Sequence, residues 1–167
     1  MSAWLAYPVL FLLVAMQTSL MPELAVGPAH PQLVLTWVVC WAVVRGRGEA
    51  LPWAVFAGLL LDLLSQQPFG AHLLALTAVA FLADLGHRVM RGSTVLFAAA
   101  ATLTGSLLYG GILLLLLPGA QRLDLAGLFL STIVPGAVYN LLLAFPLLFI
   151  LRGLDRRFPV PVAPELW

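Results

Sequence analysis

Ala50-Leu51-Pro52-Trp53-Ala54-Val55-Phe56-Ala57-Gly58-Leu59-Leu60-Leu61-Asp62-Leu63-Leu64-Ser65-Gln66 is an apolar run broken by one carboxylate. The run is long enough to cross a bilayer as a helix, which takes roughly 17 to 25 residues. A lone ionised carboxylate in hydrocarbon costs at least about 2.5 kcal/mol, so Asp62 is predicted to face protein. At helical spacing Gly58 lies one turn before it and Ser65 and Gln66 one turn after, while Ala54 and Ala57 extend the same small and polar stripe. Composition agrees with a membrane setting. Of 167 residues 62% are hydrophobic and 9% charged, and the mean hydropathy is +1.05. So few charges cannot cover a soluble domain, which excludes soluble enzymes and nucleic-acid binders.

Cutting the chain at its charged and Pro/Gly-rich breaks gives six apolar segments: 3–21, 31–44, 50–66, 69–85, 94–117 and 125–151. The expectation is an all-α integral membrane protein, one domain over 1–167 with six transmembrane helices. The first run has no Lys or Arg among Met1 to Trp4, so it is read as a helix of the mature protein and not as a signal peptide. The second segment is short, and hydropathy leaves open a start near Pro28 or a half-membrane helix. All eight basic residues are arginines, and seven follow the even-numbered segments: Arg45, Arg47, Arg88, Arg91, Arg152, Arg156 and Arg157. Only Arg122 lies on the other side. The bias predicts both termini in the cytoplasm, with residues 158–167 as a cytoplasmic, proline-containing arm.

Among the polar residues, Asp62 has two readings. It is either a polar site for a partner or ligand, or a carboxylate capped near the outer interface by the turn from Gln66 to Gly70. Asp84, near His87, Arg88 and Arg91, is expected in a local ion pair on the opposite side of the membrane. That separation counts against an intramembrane protease, whose two aspartates must share one water. His72 is read as structural, because no second metal ligand lies near it. Asn140, at mid-membrane after Pro135, is expected to hydrogen-bond another helix, and Pro135 to kink its own helix by freeing the carbonyl of Ser131. Cys40 is a small buried side chain with no disulfide partner. Ala98 to Ala101, Gly105, Gly110 and Gly111 form a close-packing face, and Trp4, Trp37, Trp41, Trp53 and Trp167 are expected near the interfaces. No catalytic residue, cofactor or metal is expected.

The order and spacing of these residues resemble the bacterial rod shape-determining protein MreD family. The resemblance is carried by Gln17, by Pro31-Gln32-Leu33, by Ala57 to Asp62 followed by Pro68-Phe69-Gly70, and by Tyr139-Asn140 before an apolar run and a basic tail. Gln32 stands where the family often has an aspartate. The resemblance implies a noncatalytic scaffold of the cell-elongation machinery in the cytoplasmic membrane. Such a scaffold would bind MreC, with the peptidoglycan synthase and the cytoskeletal protein MreB as further partners. The family is also similar in fold to the vitamin-binding S components of energy-coupling factor transporters, which supplies an alternative function. On the scaffold reading the stripe of Gly58 and Asp62, with Ser65, Gln66, Gly70, His72 and Asn140, either lines a partner groove or is structural. Asp62→Leu is then expected to weaken MreC capture more than folding.

Overall fold

The computed structural model describes residues 3–20, 29–46, 50–65, 67–89, 94–120 and 124–157. It contains six helices and, among the described residues, no strand ladder. They are α1 (Ala3–Ser19), α2 (Leu33–Arg45), α3 (Ala50–Leu64), α4 (Ala71–Val89), α5 (Thr94–Leu116) and α6. The last begins with a turn over Leu125–Leu128, widens to a π-helix over Phe129–Ile133 and continues as an α-helix over Val134–Arg157. α5 and α6 are long and apolar enough to cross a membrane. α6 runs past the expected end at 151, so that Arg152 lies in its final turns, where a cation meets the negative end of the helix dipole. The arm at 158–167, Arg47, Arg91 and Arg122 lie outside the described residues.

The packing places α2 at the centre. It touches α1, α3, α4, α5 and α6, and every residue from Val34 to Val43 is buried. Its 13 residues span only about 20 Å, whereas the hydrocarbon is about 30 Å thick. A lipid-facing helix of that length would leave unpaired backbone in hydrocarbon, but backbone shielded by protein escapes this penalty. Shortness and central position therefore go together.

The packing also corrects the expected anchoring role of three tryptophans. Trp37, Trp41 and Trp53 are buried. Trp37 stacks on Trp41 with ring centroids 5.8 Å apart, and Trp41 meets Trp53 edge-on at 6.3 Å. Tyr7 of α1 completes the cluster, its ring 5.0 Å from Trp53. These rings therefore pack against protein and not lipid, although Trp41 lies at the Arg45 end of the bundle, with the guanidinium 5.5 Å from its ring centroid; the side chains of Trp4 and Trp167 lie outside the described set. At this end of the bundle Arg45 Nε pairs with Asp155 Oδ1 at 2.8 Å, joining the C-termini of α2 and α6.

Outside, the molecule is apolar: Leu63, Phe69, Leu96, Leu115, Leu130 and Phe149 are among its most exposed side chains. Asp62, His72, Asp84, Thr102, Ser106 and Asn140 are buried. Polar groups inside and bare leucine outside is the distribution expected of a protein whose solvent is lipid. On α5, Gly105 and Gly110 admit Val79 and Ile133 against the backbone, as the small-residue face predicted, whereas Gly111 faces open space.

Candidate functional site

The expected polar residues gather at the end of the bundle opposite Arg45, around the starts of α4 and α2. A helix start leaves backbone N–H groups without intrahelical acceptors, and burying them unpaired costs about 1–3 kcal/mol each. Each start is answered by side chains from other helices.

At α4 the answer comes from Asp62, one turn from the end of α3. Its Oδ1 accepts the N–H of His72 at 2.8 Å and its Oδ2 that of Leu73 at 3.1 Å. Both oxygens are engaged, and the negative charge sits at the positive end of the α4 dipole. This is the capping role, reached through the first amides of α4 and not through the turn itself. Gly58 makes the approach possible: a Cβ there would lie 2.6 Å from the Cα of Leu73 and 3.2 Å from the carbonyl oxygen of His72. Gly70 turns the chain with φ at +94°, a conformation that L side chains rarely adopt. Ser65 Oγ accepts the N–H of Gln67 at 3.4 Å within the same turn; Gln66 lies outside the described residues. His72 then turns its ring to α5, where Nδ1 is 2.6 Å from the hydroxyl of Tyr109.

At α2 the acceptors are amides from distant parts of the chain. Asn140 Oδ1 accepts the N–H of Gln32 at 2.7 Å, and Gln17 Oε1 accepts that of Val34 at 2.8 Å. Asn140 Nδ2 donates to Ser106 Oγ at 3.0 Å and lies 3.5 Å from Gln32 Oε1. The two shorter contacts fix the amide's orientation, because an N–H can face only its oxygen. Asn140 is almost wholly buried, and it joins α6, α5 and the start of α2, as expected of a mid-helix amide.

The structure thus brings Gly58, Asp62, Gly70 and His72 together at one helix start and sets Asn140 at another. Sequence reasoning missed Tyr109 and Ser106. Both lie on the buried face of α5, three residues apart, and a polar side chain at this depth in an apolar helix is itself the signal. Asp84 is also buried, about 18 Å further along α4 than His72 by helical rise, so the two aspartates do not share a site. The side chains of His87 and Arg88, expected beside Asp84, lie outside the described residues. Among the described residues no three His, Cys, Asp or Glu side chains group as a metal site. Cys40 is buried, with Sγ 3.7 Å from the carbonyl oxygen of Ala144.

This arrangement holds helices together: Asp62 ties α3 to α4, His72 ties α4 to α5, and Asn140 ties α6 to α5 and to the start of α2. The sequence model of the family described as rod shape-determining protein MreD matches residues 1–158. No curated protein and no solved structure matches the chain.

Proposed function

Since the chain belongs to the MreD family, whose members are membrane proteins with a role in determining rod shape, we propose that it is a noncatalytic scaffold of the cell-elongation machinery. It binds MreC within the membrane, works with MreB and a peptidoglycan synthase, and helps position or regulate wall synthesis. All six helices cross the cytoplasmic membrane, with both termini in the cytoplasm, in keeping with the arginines that follow the even-numbered helices.

One observation carries the reading: Asp62, His72 and Asn140, the polar side chains best placed to hold a substrate, are bonded to the protein itself. Asp62 binds α4 backbone, His72 meets Tyr109, and Asn140 bonds to Gln32 and Ser106. What is left for a partner is apolar helix surface, on which another transmembrane helix docks by close packing. The same observation weighs against an S component, since a vitamin pocket needs several free, convergent donors and acceptors. It also moves the expected partner face away from Asp62, whose removal is now expected to strike folding first.

The test is a mild-detergent pull-down of tagged protein from its native membrane, with mass spectrometry of proteins and extracted small molecules. Stoichiometric MreC with elongation proteins is expected. An energising ATPase module or a retained vitamin, without MreC, overturns the scaffold.

A further inference from the structure

Beside Asn140 lies a small polar cavity of about 30 Å³, lined by His30, Gln32, Ser106, Thr132, Gly136 and Asn140 with the apolar Ile133 and Ala137. Two hydroxyls of its wall are incomplete within the protein. Ser106 Oγ already accepts a hydrogen from Asn140 Nδ2, so its own hydroxyl hydrogen needs another acceptor. The Thr132 hydroxyl makes no hydrogen bond among the described residues. Behind this wall Pro135 has no N–H to donate, and the helix is widened there: the N–H of Val134 reaches back to the carbonyl of Phe129.

We propose that this cavity is a binding site for an ordered water molecule, held by the hydroxyls of Ser106 and Thr132 and the side chain of Gln32. The volume suits it, since a water needs about 10–15 Å³ of such space and two to four polar partners. The water bridges the widened turn of α6 to α5 and to the segment leading into α2. It gives the Ser106 and Thr132 hydroxyls the partners they lack within the protein, next to the widened turn, and ordered water beside a helix break is one way membrane helices accommodate it.

The test is X-ray radiolytic labelling of the full-length protein in lipid nanodiscs, mixed rapidly into oxygen-18 water before exposure. Hydroxyl radicals formed from a held water mark the side chains next to it. Ile133, on the cavity wall, is expected to take up label, and to acquire oxygen-18 more slowly than Phe69, which lies away from the cavity and is exposed on the turn before α4. Absence of label on Ile133 means a dry cavity and overturns the proposal. Label that exchanges as fast on Ile133 as on Phe69 means an open vestibule, and overturns it too. Thr132→Val keeps the shape and breaks no hydrogen bond to the described protein residues. It is expected to cut Ile133 labelling severalfold, and unchanged slow labelling in that variant removes Thr132 from the site. Should the variant not fold, the wild-type measurement decides alone.

Discussion

The starts of α4 and α2 solve one problem in two ways. α4 is capped by a carboxylate ten residues before it, across a single turn, whereas α2 is capped by amides, one of them 108 residues away. A charge is usable at α4 because two amides and a helix dipole meet it there. At the centre of the bundle an ionised group would need the same density of partners, and neutral amides avoid that cost while still pairing the backbone. The local clasp needs only its own hairpin; the distant one exists only once α1, α5 and α6 have assembled around α2.

The most damaging way to break the comparison is to keep the α3–α4 clasp from closing. Gly58→Leu places side-chain atoms where the backbone of Leu73 lies, and backbone cannot move aside as a flexible side chain can. Loss of monodisperse folded protein in detergent is expected; Gly58→Ala is expected to cost about 1–3 kcal/mol by overpacking. A wild-type melting temperature for Gly58→Ala would show that the two helices are not in contact there.

Next in size is Asp62→Ala, expected to cost about 2 kcal/mol, the upper range for a lost cap. Hydrogen exchange should quicken at the amides of His72 and Leu73 and stay unchanged at Gln32 and Val34. Asp62→Asn, a neutral acceptor, should recover part of the loss. If Asp62→Ala spares stability but abolishes MreC capture, the carboxylate belongs to a partner site after all. Asn140→Ala comes third, at about 1 kcal/mol, since interhelical hydrogen bonds in membranes are worth roughly 0.6–1.7 kcal/mol. Its signature is the converse: faster exchange at Gln32, none at His72.

These two caps were unequally legible. Asp62 drew attention because a charge in a leucine run has to be answered by protein, and Pro68-Phe69-Gly70 showed that the chain turns back at once, but the sequence left a cap and a partner site both open. Asn140 announced only that some helix would meet it; which one depended on a pairing over 108 residues that no local pattern encodes. The six helices were legible from hydropathy, but the central place of α2 was not, because a uniformly apolar helix has no face that distinguishes lipid from protein. Its shortness was the available clue, and it had been open to a half-membrane reading. The tryptophans were hard to read for the same reason: position near a helix end does not tell whether a ring faces lipid or protein, and Trp37, Trp41 and Trp53 face protein. Pro135 foretold a break in α6, yet whether a helix kinks or widens depends on its neighbours, here Ile133 packed against Gly110.

The finest test concerns α5, which serves both starts. Ser106 meets the Asn140 amide and Tyr109 meets His72, and the two lie three residues apart on one buried face. Tyr109→Phe removes only the hydroxyl, keeping the ring and its packing, so the expected cost is small, about 0.6 kcal/mol. Were α5 merely a rigid post, the loss would loosen the α4 start alone: exchange would rise at His72 and Leu73, and the amides of Gln32 and Val34 would hold. That is the expected result, since Tyr109 and Ser106 share no hydrogen-bond partner. Faster exchange at Gln32 in Tyr109→Phe would mean that α5 shifts as a unit. The local cap and the distant cap would then be two halves of one polar network, and the contrast between them would describe their positions in sequence but not their energetics.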